Sequence, residues 1–199
     1  SPATGGQVPR GMPGHSAEIA LPYDPGQARE LLSAGGYPEG RGFPEVELLM
    51  ARGREAVGDY LQAQWQANLG VQIRCKTMEW AELLERLNKT PPHLYGMAAA
   101  ALYPDPESFL GPTGRDDHGG YYAWRDEAYN RLVEEARRAT DQPERVRSYQ
   151  QADRILVNEA WILPLLYERR HSLVKPWVVK LPTSAIMLGF WKDVIIEAH

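Results

Sequence analysis

The fold is decided by residues 46–75, which have the sequence VELLMARGREAVGDYLQAQWQANLGVQIRC. Residues 46–51 are a short apolar run between turn-rich flanks, which predicts a buried strand. Apolar residues recur at helical spacing over 56–69, and Gly70 predicts the end of that helix. Residues 71–75 alternate and predict a second strand. A strand–helix–strand unit of this length predicts two parallel strands joined by a crossover helix.

A further helix is predicted upstream of this unit. Asp24 is in the N-cap position, Pro25 is the first helical residue, and Gln27 stands where a capping box places its amide. Gly35 predicts the end of the helix. The residues expected to face the core are Ala28, Leu31 and Leu32.

Downstream of the unit, three more amphipathic helices are predicted, one over about 80–87 and two that follow the capping residues Asp126 and Asp141. Apolar segments predict further strands within 93–103, 161–168, 173–180 and 190–197. Leu61 and Leu156 are expected to be buried on helices that pack against the sheet. The predicted class is therefore α/β, with a mostly parallel sheet flanked by helices.

Amino-acid composition excludes several classes of function. The 199 residues are 43% hydrophobic and 24% charged, with a formal net charge of −4, which is typical of a globular domain and gives no basic surface for nucleic acid or an anionic membrane. No apolar run reaches the ~18 residues that span a bilayer, and residues 1–16 lack the apolar core of a signal peptide. The single cysteine, Cys75, cannot form an internal disulfide, a redox pair or a zinc cluster by itself.

Three features could suggest an enzyme, and each has a simpler interpretation. The glycine cluster over 35–42 lacks the Gly-Lys-Ser/Thr ending of a phosphate loop and follows a helix, which indicates a turn. Asp116, Asp117 and His118 offer metal ligands, but adjacent residues rarely converge on one ion. Cys75 has no adjacent histidine and is expected to pack as a small apolar side chain. We therefore predict no catalytic residue, no metal and no cofactor.

Six motifs in the same order as in a known family extend along the chain. Together they resemble the bacterial extracellular solute-binding proteins of family 5, the substrate-binding proteins of oligopeptide, dipeptide and nickel ABC transporters. The motifs are Tyr23-Asp24-Pro25 with AGGYPEG at 34–40, Leu69-Gly70-Val71 with Met78-Glu79-Trp80, Tyr103-Pro104-Asp105-Pro106 with Phe109-Leu110, Trp124 with Asp126, Tyr129 and Leu132, ILPL at 162–165 with LVKPWV at 173–178, and FWKDV at 190–194.

The resemblance implies a lobe of a larger two-lobed protein. Residues 1–22 would be an extended N-terminal segment, residues 23–168 an α/β lobe of the type II periplasmic-binding-protein kind, and residues 169–199 strands that return toward the first lobe. The expected partners are a small-molecule or peptide ligand, a first lobe in the missing N-terminal half of the same protein, and a membrane permease. The expected location is extracellular or periplasmic, with an anchor in the missing part.

The resemblance also implies a ligand site at Ala99, Leu102, Tyr103, Asp105, Gly120 and Trp124. In peptide-binding members a Trp lining the cleft and an Asp binding the ligand's α-amino group stand where this chain has Ala99 and Leu102. Gly120 stands where an Asn is frequent, and Asp105 belongs to a turn. Peptides, apolar compounds, sugars and nickel chelates all remain possible ligands. The alternative function is a sensory module of a regulatory protein.

Overall fold

The computed structural model describes residues 2–113, 124–168, 171, 173–181 and 191–197. Within them the chain forms two compact units. A sheet unit comprises residues 22–98, and a helical unit comprises residues 2–21, 99–113 and the described residues from 124 onward.

The sheet unit confirms the predicted parallel strand–helix–strand arrangement. Its three strands pair in the order β2-β1-β3, both pairs parallel. Alternate residues of β1 serve opposite faces: Leu48 and Met50 join the apolar cluster with α2, and Leu49 packs with α3. The elements are α1 Pro25–Ala34, β1 Val46–Ala51, α2 Glu55–Leu69, β2 Ile73–Met78, α3 Trp80–Lys89 and β3 Leu94–Gly96, with a 3₁₀ turn at Pro38–Gly40.

The predicted helix ends of this unit are confirmed. The Asp24 carboxylate accepts a hydrogen bond of 2.9 Å from the Gln27 N–H, which caps α1. Gly70 ends α2 with a φ of 68°, a left-handed conformation that favours glycine. A Cβ at this position would also overlap the Glu39 carbonyl oxygen, so glycine is required for space as well.

The helical unit is built on two long helices that pack against each other. Asp126 and Asp141 cap them as predicted, each accepting a backbone N–H three residues on. The core between them includes Tyr129 and Tyr149, both fully buried. In the described part of the chain, none of the helices combines the length and apolar composition needed to cross a membrane. The elements are a 3₁₀ turn at Ala17–Ile19, α4 Glu107–Leu110, α5 Glu127–Arg138, α6 Gln142–Asn158, β4 Val178–Lys180, a 3₁₀ turn at Trp191–Asp193 and β5 Ile195–Ile196.

Two of the predicted strands are wrong or too long. Residues 161–168 are not a strand: the described structure gives this segment one bridge, from Leu166 to Pro2, and a hydrogen bond from the Ala3 N–H to Leu165. Of residues 173–180, the last three form β4, which pairs antiparallel with β5. Pro176 precedes β4 in a turn and has no N–H for a ladder. The described strands therefore form two sheets: one of three parallel strands and one antiparallel pair.

Several predicted core positions are also wrong. Leu31 is 68% exposed, because in the sheet unit no described element covers that face of α1. Tyr60, which has the helical spacing of the apolar residues over 56–69, is 61% exposed on α2. Leu61 is buried against the sheet as predicted. Leu156 is buried too, but in the apolar cluster of the helical unit and not against the sheet.

Candidate functional site

The predicted ligand residues Ala99, Leu102, Tyr103 and Asp105 lie in one loop of the helical unit, which we call the 99–106 loop. Ala101 and Pro106 are buried and anchor it. Leu102 and Tyr103 point outward, with 67% and 43% of their surfaces exposed. The loop thus presents an aliphatic and a phenolic side chain to its surroundings.

The carboxylate of Asp105 is engaged within the protein. Its two oxygens accept hydrogen bonds from the Arg145 guanidinium, at 2.5 Å to Oδ2 and 2.8 Å to Oδ1. Oδ1 also accepts the N–H of Glu107, the first residue of α4, at 2.9 Å. Burial would raise the pKa of Asp105, but the hydrogen bonds from Arg145 and Glu107 outweigh it and hold the pKa below its usual value. Asp105 therefore joins the loop to α6.

A second ion pair joins α4, which follows this loop, to α5. Glu107 Oε1 accepts from Arg137 Nη2 at 2.9 Å and from Arg137 Nε at 3.3 Å. The other Glu107 oxygen, Oε2, accepts the hydroxyl of Tyr103. Arg137 Nη2 also donates to the Gly111 carbonyl at 3.2 Å. The Asp105–Arg145 pair thus joins the loop to α6, and the Glu107–Arg137 pair joins the adjacent α4 to α5.

Trp124, another predicted ligand residue, lies in an aromatic cluster of the helical unit. Its ring stacks on Trp161, with centroids 5.7 Å apart and planes 16° apart, and meets the Tyr129 ring edge-on at 5.4 Å. Tyr129 is buried and donates its hydroxyl to the Leu110 carbonyl at 2.5 Å, and burial raises its pKa. One face of Trp124 is thus occupied by protein.

Asp153 is a buried acid that the sequence analysis did not single out. Its carboxylate accepts the N–H groups of Gln7 at 2.7 Å and Val8 at 3.3 Å, and its side chain is fully buried. A Cβ on Gly6 would overlap this carboxylate, so the close approach depends on glycine there. Burial raises the pKa of Asp153 in spite of these hydrogen bonds. Asp153 stands among the apolar residues on the core side of α6, and this position in the sequence could have indicated a buried carboxylate.

The remaining residues considered in the sequence analysis fall partly outside the described part of the chain. Gly120, Asp116, Asp117 and His118 lie outside the described residues. Cys75 is a free, half-buried thiol on β2 whose pKa is raised by burial and by the nearby Asp59 and Glu55 carboxylates. Among the described residues there is no group of three or more metal-ligating side chains that could hold an ion.

Solved structures of bacterial proteins share this fold. The Escherichia coli murein tripeptide binding protein MppA matches with a TM-score of 0.78 and 23% identity, over 96% of this chain and 39% of that one. HbpA2 from Haemophilus parasuis matches with a TM-score of 0.73 and 26% identity, over 83% and 34% of the two chains. The chain therefore has the fold of part of these larger proteins, a lobe of the periplasmic-binding-protein kind.

The family is established by sequence. Residues 1–121 match the model "Bacterial extracellular solute-binding proteins, family 5 Middle". Di/tripeptide-binding protein 1 of Pseudomonas aeruginosa is 31% identical over 88% of this chain, and the "Probable deoxycholate-binding periplasmic protein YgiS" of E. coli is 30% identical over 70%. The chain spans 34% and 26% of these two relatives. It belongs to the family 5 bacterial extracellular solute-binding proteins, which confirms the family resemblance.

Proposed function

We propose that this chain contributes part of the ligand cleft of a solute-binding protein that captures a small solute outside the cytoplasm and delivers it to the permease of an ABC transporter. The observation that carries the proposal is the family match over residues 1–121, together with relatives whose names are those of binding proteins. The protein's other lobe would complete the cleft, and closure of the two lobes would retain the ligand without bond chemistry. The divisions at residues 22 and 168 would mark this lobe's edges.

We place the ligand side of this lobe at the 99–106 loop. Leu102 and Tyr103 are its exposed side chains, and Ala99 leaves room beside them. Asp105 supports the loop, because both of its oxygens already accept hydrogen bonds. In this proposal Gly120 lines the cleft, and Trp124 contributes a ring edge from its stack with Trp161.

The loop composition favours ligands that need no anionic partner. A peptide's α-ammonium buried against Leu102 would lose its hydration without pairing with a carboxylate, which would cost on the order of several kcal/mol. An aliphatic and a phenolic surface instead suits apolar or amphipathic solutes and peptides whose amine lies elsewhere. The names of the two relatives, one di/tripeptide-binding and one deoxycholate-binding, span this range.

The sensory-module alternative has less support. Both curated relatives described above are named for binding a solute, and one is named as periplasmic. A transport role outside the cytoplasm follows from that comparison more directly than a regulatory one. The membrane anchor that the family resemblance implies would be a further part of this proposal.

The test is ligand binding by the full-length protein. Thermal-shift screening with leucyl-alanine, trialanine, N-acetyl-leucyl-alanine, deoxycholate and a sugar set, followed by calorimetry, should give saturable one-site binding to at least one probe. The bound probe should be recovered chemically unchanged. Absence of binding across the panel, or conversion of a probe into product, would overturn the proposal.

A further inference from the structure

Tyr103 is the exposed aromatic of the 99–106 loop, and its orientation is controlled from outside that loop. The phenol hydroxyl donates to Oε2 of Glu107, which is the first residue of α4. An exposed tyrosine ring otherwise samples several rotamers, and immobilising one on ligand binding costs free energy. Because the hydrogen bond to Glu107 fixes the Tyr103 hydroxyl, the ring is already oriented in the free protein, and ligand binding does not have to immobilise it.

Glu107 can hold Tyr103 because its own carboxylate is fixed. Arg137 binds the opposite oxygen through two nitrogens, at 2.9 and 3.3 Å. The two side chains are only 22% and 25% exposed, so water competes weakly for the pair. Gly111 supplies the space: a Cβ there would overlap the Glu107 carboxylate.

The two acids of this region serve different parts of the loop. Asp105 binds Arg145 and the Glu107 N–H, and so fixes the course of the backbone. Glu107 links Arg137 on α5 to the side chain of Tyr103. The backbone could therefore stay in place while the ring becomes free to move.

We infer that Glu107, held by Arg137, is a positioning residue for ligand recognition: it orients the Tyr103 ring toward the ligand without touching the ligand. This inference rests on the proposed function, since it takes the exposed face of the 99–106 loop as the ligand side. Loss of the orientation should weaken those ligands that pack against the ring more than those that do not. Selectivity, and not affinity alone, should change.

The experiment is a double-mutant cycle in the full-length protein. Tyr103→Phe removes the hydroxyl and keeps the ring, and Glu107→Met removes the acceptor and keeps the side-chain length. Glu135→Met is the matched control, because Glu135 lies on α5 and pairs at 3.9 Å with Arg131, away from the loop. Each protein is titrated calorimetrically with leucyl-alanine, N-acetyl-leucyl-alanine and deoxycholate, and its melting temperature is recorded.

We expect each single loop variant to weaken the best-bound probe about threefold to tenfold, the size of one lost hydrogen bond, and the double variant to bind no more weakly than the poorer single variant. The ratio of affinities between probes should change in both single variants and stay at the parent value in Glu135→Met. A structural role alone would lower the melting temperature and scale all affinities equally, which would overturn the inference.

Two other outcomes would also count against it. Additive effects would mean that the Tyr103 hydroxyl contacts the ligand directly and that Glu107 does not act through it. If the parent binds a probe and Glu107→Met binds it equally well, the inference falls while the proposed function stands. If the parent binds none of the probes, both fall together.

Discussion

The ion pair between Asp105 and Arg145 should be a measurable part of the protein's stability. Arg145→Met keeps an unbranched side chain beside Tyr149 but leaves the Asp105 carboxylate with only one of its three hydrogen bonds. Exposed pairs contribute about 0–1 kcal/mol, and removing one partner of a fully buried pair costs about 3–5 kcal/mol. Here the side chains are 17% and 27% exposed, so we expect a loss of about 2 kcal/mol at neutral pH.

The assay is urea unfolding followed by circular dichroism, with Asp105→Asn and the double variant completing a cycle. The pKa of Asp105 is lowered in the folded protein, so its contribution is fully present above the usual carboxylate pKa and is lost as the pH falls through the lowered value. The difference between parent and Arg145→Met should therefore shrink in acid. Arg154→Met, on the same helix but in an exposed pair with Glu18 at 3.8 Å, should cost less than ~0.5 kcal/mol. A coupling energy between Asp105 and Arg145 below ~0.3 kcal/mol would mean that this ion pair does not stabilise the fold.

Three further predictions concern packing and charge. Leu156→Ala should lower the free energy of unfolding by about 2–5 kcal/mol, whereas Leu31→Ala on an exposed face should change it little in the same thermal-unfolding experiment. Gly58→Ala should destabilise, since its Cβ would overlap the Cys75 sulfur, yet in a Cys75→Ala background the same change should stabilise by up to ~1 kcal/mol through helix propensity. The pKa of Asp153 is raised in the folded protein, so its stabilising contribution is present in acid and is lost as the pH rises through the raised pKa. The urea midpoint of the parent, measured relative to that of Asp153→Asn, should therefore be lower at pH 7 than at pH 4.

Features with local causes could be predicted from the sequence. The caps at Asp24, Asp126 and Asp141 need only a side chain that reaches an N–H three residues on, and each is found. The helix stop at Gly70 has a local cause in its positive φ, whereas the close approach of the Glu39 carbonyl at the same position could not be predicted. The parallel pair of β1 and β2 follows from the helical crossover between them, which is long enough to return the chain to the same edge of the sheet.

Features that depend on a distant partner could not be predicted. A strand over 161–168 would need a neighbouring ladder, and the periodicity of one segment carries no information about that neighbour. Leu31 has the spacing of a core residue, but burial requires an element that covers it. The ion pair from Glu107 to Arg137 joins residues 30 apart in sequence, and Asp153 meets backbone 146 residues away.

The candidate site could be predicted only through the family resemblance. The motif around Tyr103 and Asp105 located the loop, and the structure then shows that Asp105 is committed to Arg145. The resemblance could not indicate that Glu107 would engage Tyr103, because that contact depends on where α5 places Arg137. Family motifs locate a loop, and the surrounding packing determines which of its side chains remain available.

In the proposed cleft, the 99–106 loop offers no free anion to a peptide's α-amino group, because the one acid of this loop, Asp105, is bound to Arg145. The most direct test is calorimetric titration of the full-length protein with leucyl-alanine and N-acetyl-leucyl-alanine, repeated with Leu102→Asp and Ala99→Trp combined. We expect that acetylation of the peptide does not weaken its binding to the parent. The double variant should bind the free amine at least tenfold more tightly than the acetylated form, a difference of about 1.4 kcal/mol. Tight binding of leucyl-alanine by the unmodified protein, lost on acetylation, would contradict it.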